Sequence, residues 1–70
     1  MKVTRQQIVD CIRHNLSERG MPPTLREMCD QLGLKSVGGL SVRLDAMAAD
    51  GIIERDEYIA RGIRVLRDAD

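Results

Sequence analysis

The chain has no phenylalanine, no tryptophan and one tyrosine, Tyr58, among its 70 residues. A core of stacked rings is excluded, and Ile, Leu, Val, Met and Cys must fill the interior. Cysteine is scarce: Cys11 and Cys29 stand alone, without a CxxC spacing, and the single His14 completes no ligand set. Buried, reduced thiols and no metal are the expectation. An excess of either charge is missing too, because 11 basic residues meet 11 acidic ones. No apolar run is long enough to span a membrane, and no signal-peptide pattern is present, so a soluble, cytoplasmic protein is expected. No pairing of nucleophile, base and acid stands out, so neither an enzyme nor a cofactor is expected.

Hydrophobic residues make up 43% of the sequence, enough for one small aliphatic core and one domain spanning 1–70. The punctuation is the strongest signal. Thr4 followed three residues later by Gln7 is a capping box, flanked by Val3 and Ile8 in the spacing of a hydrophobic staple. Ile8, Cys11, Ile12 and Leu16 then recur at helical spacing, with His14 on the polar side. Gly20-Met21-Pro22-Pro23-Thr24-Leu25-Arg26-Glu27 ends that helix and starts the next. Gly20 suits a left-handed stop, the prolines forbid continuation, and Thr24 with Glu27 forms a second capping box. A short helix over about 25–32 buries Leu25, Met28, Cys29 and Leu32 and turns Arg26, Glu27, Asp30 and Gln31 outward. Gly33 breaks it. A third helix over 37–50 follows Ser36, with Val37, Leu40, Leu44 and Met47 inward and Gly51 as its stop. Two helices joined by a tight glycine turn form a helix-turn-helix, whose second helix is often a groove reader.

Beyond Gly51 the period changes. Ile52-Ile53-Glu54-Arg55 and Gly62-Ile63-Arg64-Val65-Leu66 read as short strands, and residues 56–61 between them as a loop. The fold class is mainly α with a small β-hairpin: a winged helix-turn-helix of three helices and a two-stranded wing. Residues 67–70 read as a frayed tail.

Arg5-Gln6-Gln7, Ile12-Arg13, Gly20 to Thr24, Glu27, Leu32-Gly33-Leu34, Leu44, Gly51 to Glu54 and Arg61 to Leu66 together carry a resemblance. From Thr4 to Leu66 the chain resembles the N-terminal DNA-binding domain of LexA-type repressors. The resemblance implies a sequence-specific regulator that binds double-stranded DNA. Its third helix would enter the major groove and its wing, 55–61, would lie on the backbone. Carried over by position, Ser36, Gly38, Gly39, Ser41 and Val42 occupy the base-reading places. Arg43, the one cation inside the third helix, is the first choice for a phosphate or guanine contact. Lys35 reaches for phosphate, and the backbone N–H groups after Thr24 form a further phosphate seat. Arg55 and Arg61 bracket the wing loop, and Tyr58 at its tip meets sugar or backbone. Gly38 and Gly39 allow either a close approach to DNA or mark places where no base is read. Those repressors continue into a dimerising, self-cleaving domain that is absent from this sequence, so self-cleavage does not carry over and a monomer or weak homodimer is expected.

Charge leaves a second reading open. Residues 1–35 carry six basic and four acidic groups, and residues 36–70 five and seven, so the half that would meet DNA is the acidic half. DNA affinity rests largely on neutralised phosphates. The alternative is a protein-binding adaptor or antirepressor that reuses the fold, with Val42 and Ile59 as docking groups.

Overall fold

The computed structural model describes residues 3–56 and 58–69; Glu57 in the expected loop and Asp70 in the expected tail lie outside the described residues. Three helices, α1 (Arg5–Arg19), α2 (Leu25–Leu32) and α3 (Val37–Ala49), precede two strands, β1 (Ile53–Arg55) and β2 (Ile63–Val65). The strands pair antiparallel with Ile53 opposite Val65, Glu54 opposite Arg64 and Arg55 opposite Ile63. The molecule is the winged helix-turn-helix that the punctuation predicts.

Each helix start is closed by a side chain. Thr4 Oγ1 accepts from the Gln7 amide at 3.1 Å while Gln7 Oε1 accepts from Thr4 N–H at 2.7 Å. Thr24 Oγ1 accepts from the Glu27 amide at 3.1 Å, and Glu27 Oε1 accepts from Thr24 N–H at 3.0 Å. Ser36 Oγ accepts from Gly39 N–H at 2.9 Å. Loss of one such cap costs about 1 kcal/mol. The stops use positive φ: Gly20 at 73°, Gly33 at 71° and Gly51 at 75°. After α3, Asp50 is the cap, and Ile52 N–H reaches back to Met47 C=O at 3.0 Å while Gly51 N–H reaches Ala48 C=O at 3.1 Å, the paired bonds of a Schellman stop.

The core is aliphatic: Val3, Ile8, Val9, Cys11, Ile12, Met28, Cys29, Leu40, Leu44, Met47, Ile52 and Ile53 are buried together. Val3 and Ile8, the expected staple, both belong to it. α2 packs on α1 and α3, β1 lies against α3, and β2 reaches α1. Both cysteines are free and buried, and burial pushes the Cys11 thiol above its ordinary value, which keeps it protonated.

Three details depart from the periodic reading. Leu16 is 40% exposed, and Asn15 is the buried neighbour at 1%. Asn15 is tolerated there because every polar atom finds a partner. Its Nδ2 donates to Cys11 C=O at 2.8 Å and to Gln31 Oε1 at 2.7 Å, and Gln31 Nε2 returns a bond to Asn15 Oδ1 at 3.1 Å. Gln31 therefore turns its amide back to α1 and locks α1 to α2. Val37 is 36% exposed, because the first turn of α3 runs past the edge of the core. Residues 67–69, for which the sequence suggests only a loose end, lie on α1: Asp68 accepts from Arg13 and from Gln6, and Ala69 N–H donates to Gln6 Oε1 at 2.9 Å.

The wing turns on a close approach. A Cβ at Gly62 would meet Asp56 C=O at 2.6 Å, while Asp56 N–H donates to Gly62 C=O at 2.7 Å. Gly38 is different. Its φ is not positive, and a Cβ there meets only Ser36 Oγ at an ordinary 3.9 Å. Gly38→Ala should therefore stabilise the domain by about 0.5–1 kcal/mol, a rise of a few degrees in Tm. Gly39→Ala should gain less, because its Cβ would crowd the capping Ser36 Oγ at 3.3 Å. Gly62→Ala should lower Tm. Thermal unfolding followed by circular dichroism checks the order, and a stabilised Gly62→Ala would contradict the packing described.

Candidate nucleic-acid interface

The expected site residues fall into two groups. Lys35 in the turn, Ser36 at the cap of α3, Gly38, Gly39 and Val42 on α3, and Tyr58 in the wing loop are exposed. Ser41 and Arg43 are half-buried on the flanks of the outer face of α3. Val42 is 70% exposed and Tyr58 92%. Thr24 caps α2 and keeps the first N–H groups of that helix in order.

Arg55 and Arg61 face inward instead. The Arg55 side chain is only 9% exposed. Its Nη1 donates to Ser41 C=O at 3.0 Å and to Asp45 Oδ1 at 2.7 Å, and its Nη2 donates to Ser41 Oγ at 2.9 Å. It thus ties β1 to the middle of α3. Arg61 Nη1 donates to Pro22 C=O at 2.8 Å and to Glu27 Oε1 at 2.7 Å, and its Nη2 donates to Glu27 Oε2 at 3.1 Å. That two-pronged fork ties the wing to the turn before α2. A hydrogen bond from Arg61, then the Thr24 N–H, hold the Glu27 carboxyl down at about 2, against an ordinary 4.5.

The remaining arginines sort by partner. Arg5 pairs with Asp50 at 2.6 Å, Arg13 with Asp68, Arg19 with Glu27 at 3.4 Å and Arg64 with Glu54 at 2.8 Å. Arg67 donates to Asp68 C=O and Asp50 C=O, each at 3.0 Å. Among the described residues, Arg26, Lys35 and Arg43 are the lysines and arginines with no ion pair and no hydrogen-bonded partner. All three lie on α2, the turn and α3. The acids of the second half are largely engaged: Asp45, Asp50, Glu54 and Asp68 each pair with an arginine. A zero net charge therefore coexists with unpaired cations on one structural unit. The spacing gives no sign of this for Arg26, which reads as a solubilising charge beside Glu27 and Asp30 until the pairing is known.

The model of the LexA DNA binding domain matches residues 2–62 of this chain. Over 62 residues the chain is 42% identical to the LexA repressor of Proteus mirabilis (strain HI4320), covering 89% of this chain and 30% of that protein. Over 64 residues it is 41% identical to the LexA repressor of Pectobacterium carotovorum subsp. carotovorum (strain PC1), covering 91% of this chain and 32% of that protein. The chain spans about a third of the length of these relatives.

The lowered Glu27 value has a definite consequence for stability. A carboxyl held below its unfolded value stabilises the fold fully above about pH 4.5, and that contribution fades as pH falls toward 2. Glu27→Gln keeps a capping oxygen but loses the charge. Its Tm deficit against the parent should be widest near neutral pH and shrink between pH 4.5 and 2. A deficit of constant size through that window, in calorimetric scans, would contradict the pairing with Arg61.

Proposed function

The chain belongs to the LexA DNA-binding domain family, and on that premise we propose that it is a sequence-specific transcriptional regulator that binds double-stranded DNA. α3 enters the major groove, with Ser36, Gly38, Gly39, Ser41 and Val42 turned toward the bases. Lys35 and Arg43 contact the DNA from either end of that segment. Arg26 and the N–H groups behind Thr24 meet a phosphate at the start of α2. Tyr58 touches the backbone from the wing. Arg55 and Arg61 hold these elements in register through their internal bonds. The protein works by binding rather than by catalysis, in the cytoplasm.

One observation carries the reading: the described lysines and arginines without a partner are Arg26, Lys35 and Arg43, and these sit together on the helix-turn-helix. Unpaired cations on such a unit fit phosphate, which rewards each with the release of condensed counterions. A docking protein of apolar character would need no such arrangement, and the family membership favours DNA over an adaptor role.

The test is a duplex selected from a randomised pool and titrated across salt. The slope of log K against log salt falls by roughly 0.9 for each phosphate contact removed. Arg26→Gln and Lys35→Gln should each reduce the slope by about one with the fold intact. Arg43→Gln should weaken binding strongly, by about tenfold or more if it forks onto a guanine. Binding that ignores salt would contradict the proposal.

A further inference from the structure

The buried side of α3 is a line of Leu40, Leu44 and Met47. Helical spacing puts Gly38, Val42, Ala46 and Ala49 opposite them, and all four are exposed. Ser41 and Asp45 lie to one side of this outer line, where Arg55 of β1 bonds to both. Arg43 lies to the other side. The outer line itself carries no side chain able to donate or accept a hydrogen bond. Only Val42 extends beyond Cβ on it.

Val42 therefore stands clear of the helix. Its neighbours one turn away along the line are Gly38 and Ala46, and its side is 70% exposed. The fold draws nothing from this side chain: it lies outside the core, and valine is a poorer helix former than alanine. A body laid along the outer line of α3 meets an isopropyl group first. In the major groove, base edges present hydrogen-bonding groups and one apolar substituent, the C5 methyl of thymine. Pressed on a donor or an acceptor, the isopropyl strips water and returns no hydrogen bond. Pressed on the methyl, it removes apolar surface from water on both sides.

We infer that Val42 is a methyl reader: its isopropyl group packs on the C5 methyl of a pyrimidine. In unmodified DNA that pyrimidine is thymine, and 5-methylcytosine carries the same methyl in the same groove. The inference rests on the proposed insertion of α3 in the major groove and gives that insertion a specificity. Thymine is favoured over cytosine at the place facing Val42, through the methyl and not through a hydrogen bond. Methylation of a cytosine at that place is then a change the protein senses.

Methyl deletion in the selected duplex tests the inference on the unaltered chain. Uracil replaces each thymine in turn, which removes the methyl and keeps every hydrogen-bonding group. The parent protein should lose about fourfold in affinity at the contacted thymine, the worth of one buried methyl. Val42→Ala should bind the thymine and uracil duplexes there equally. Cytosine and 5-methylcytosine at the same place should differ by a similar factor for the parent and not for the variant. Val42→Ala alters an exposed helical place, and an unlowered Tm confirms that it is folded. Uracil tolerated at every thymine, in a duplex whose binding still weakens steeply with salt, overturns the methyl reading and leaves duplex binding in place. Uracil discrimination that persists in Val42→Ala assigns the methyl to another side chain and overturns it as well. A loss at uracil without a gain from 5-methylcytosine overturns the methyl as the group sensed. Failure to enrich any duplex, from protein shown to be folded, overturns the duplex reading and this inference with it.

Discussion

The carboxylate of Glu27 is the point on which the rest of the structure turns. One oxygen closes the capping box of α2 through Thr24 N–H, and both receive the Arg61 fork from the wing. Arg19 at the end of α1 stands 3.4 Å away. Three elements distant in sequence therefore meet on one side chain: the end of the first helix, the start of the second and the base of the hairpin. Because α2 and its glycine turn fix where α3 begins, the same contact sets the wing relative to the proposed reading helix. Arg61 also donates to Pro22 C=O, a carbonyl of the turn that the two prolines hold open. An aliphatic core without large rings packs the helices but gives little direction to a two-stranded hairpin, and the fork supplies it.

Charge is distributed by the same logic. The sequence is neutral overall, which argues against a DNA-binding protein when charges are only counted. Once they are paired, arginines on α1 and the wing lie against acids of α2, of α3 and its cap, of the hairpin and of the C-terminal segment, while Arg26, Lys35 and Arg43 are left unpaired among the described residues. Net charge governs the long-range field, but a binding surface is made by the local remainder. Arg55 ties β1 to that unit through Ser41 and Asp45.

Legibility in the sequence follows the range of the interaction. Capping boxes at Thr4 and Thr24, and the left-handed stops at Gly20, Gly33 and Gly51, span only a few residues, so spacing alone specifies them. The aliphatic stripes of α2 and of α3 from Leu40 onward are periodic and readable for the same reason. Contacts between elements carry no spacing signal. Asn15 is a polar residue at a core position, and only the answering amide of Gln31, sixteen residues on, explains it. The inward turns of Arg55 and Arg61 depend on carbonyls and acids supplied by α3, by the 20–24 turn and by Glu27 of α2. A residue bracketing the wing loop looks exposed in sequence, and the fold folds it back. The docking of residues 67–69 on α1 through Asp68 and Ala69 is equally invisible before the helix is in place.

The most direct test of the central claim is a map of amide chemical-shift changes as a selected duplex is added to the isotope-labelled protein. The account predicts that the largest changes fall at 24–26, at 35–43 and at the wing tip around Tyr58. The outer face of α1 around Asp10, His14 and Ser17, and the segment at 67–69, should change little. Changes centred on α1 or on that segment, with α3 unaffected, would contradict the account.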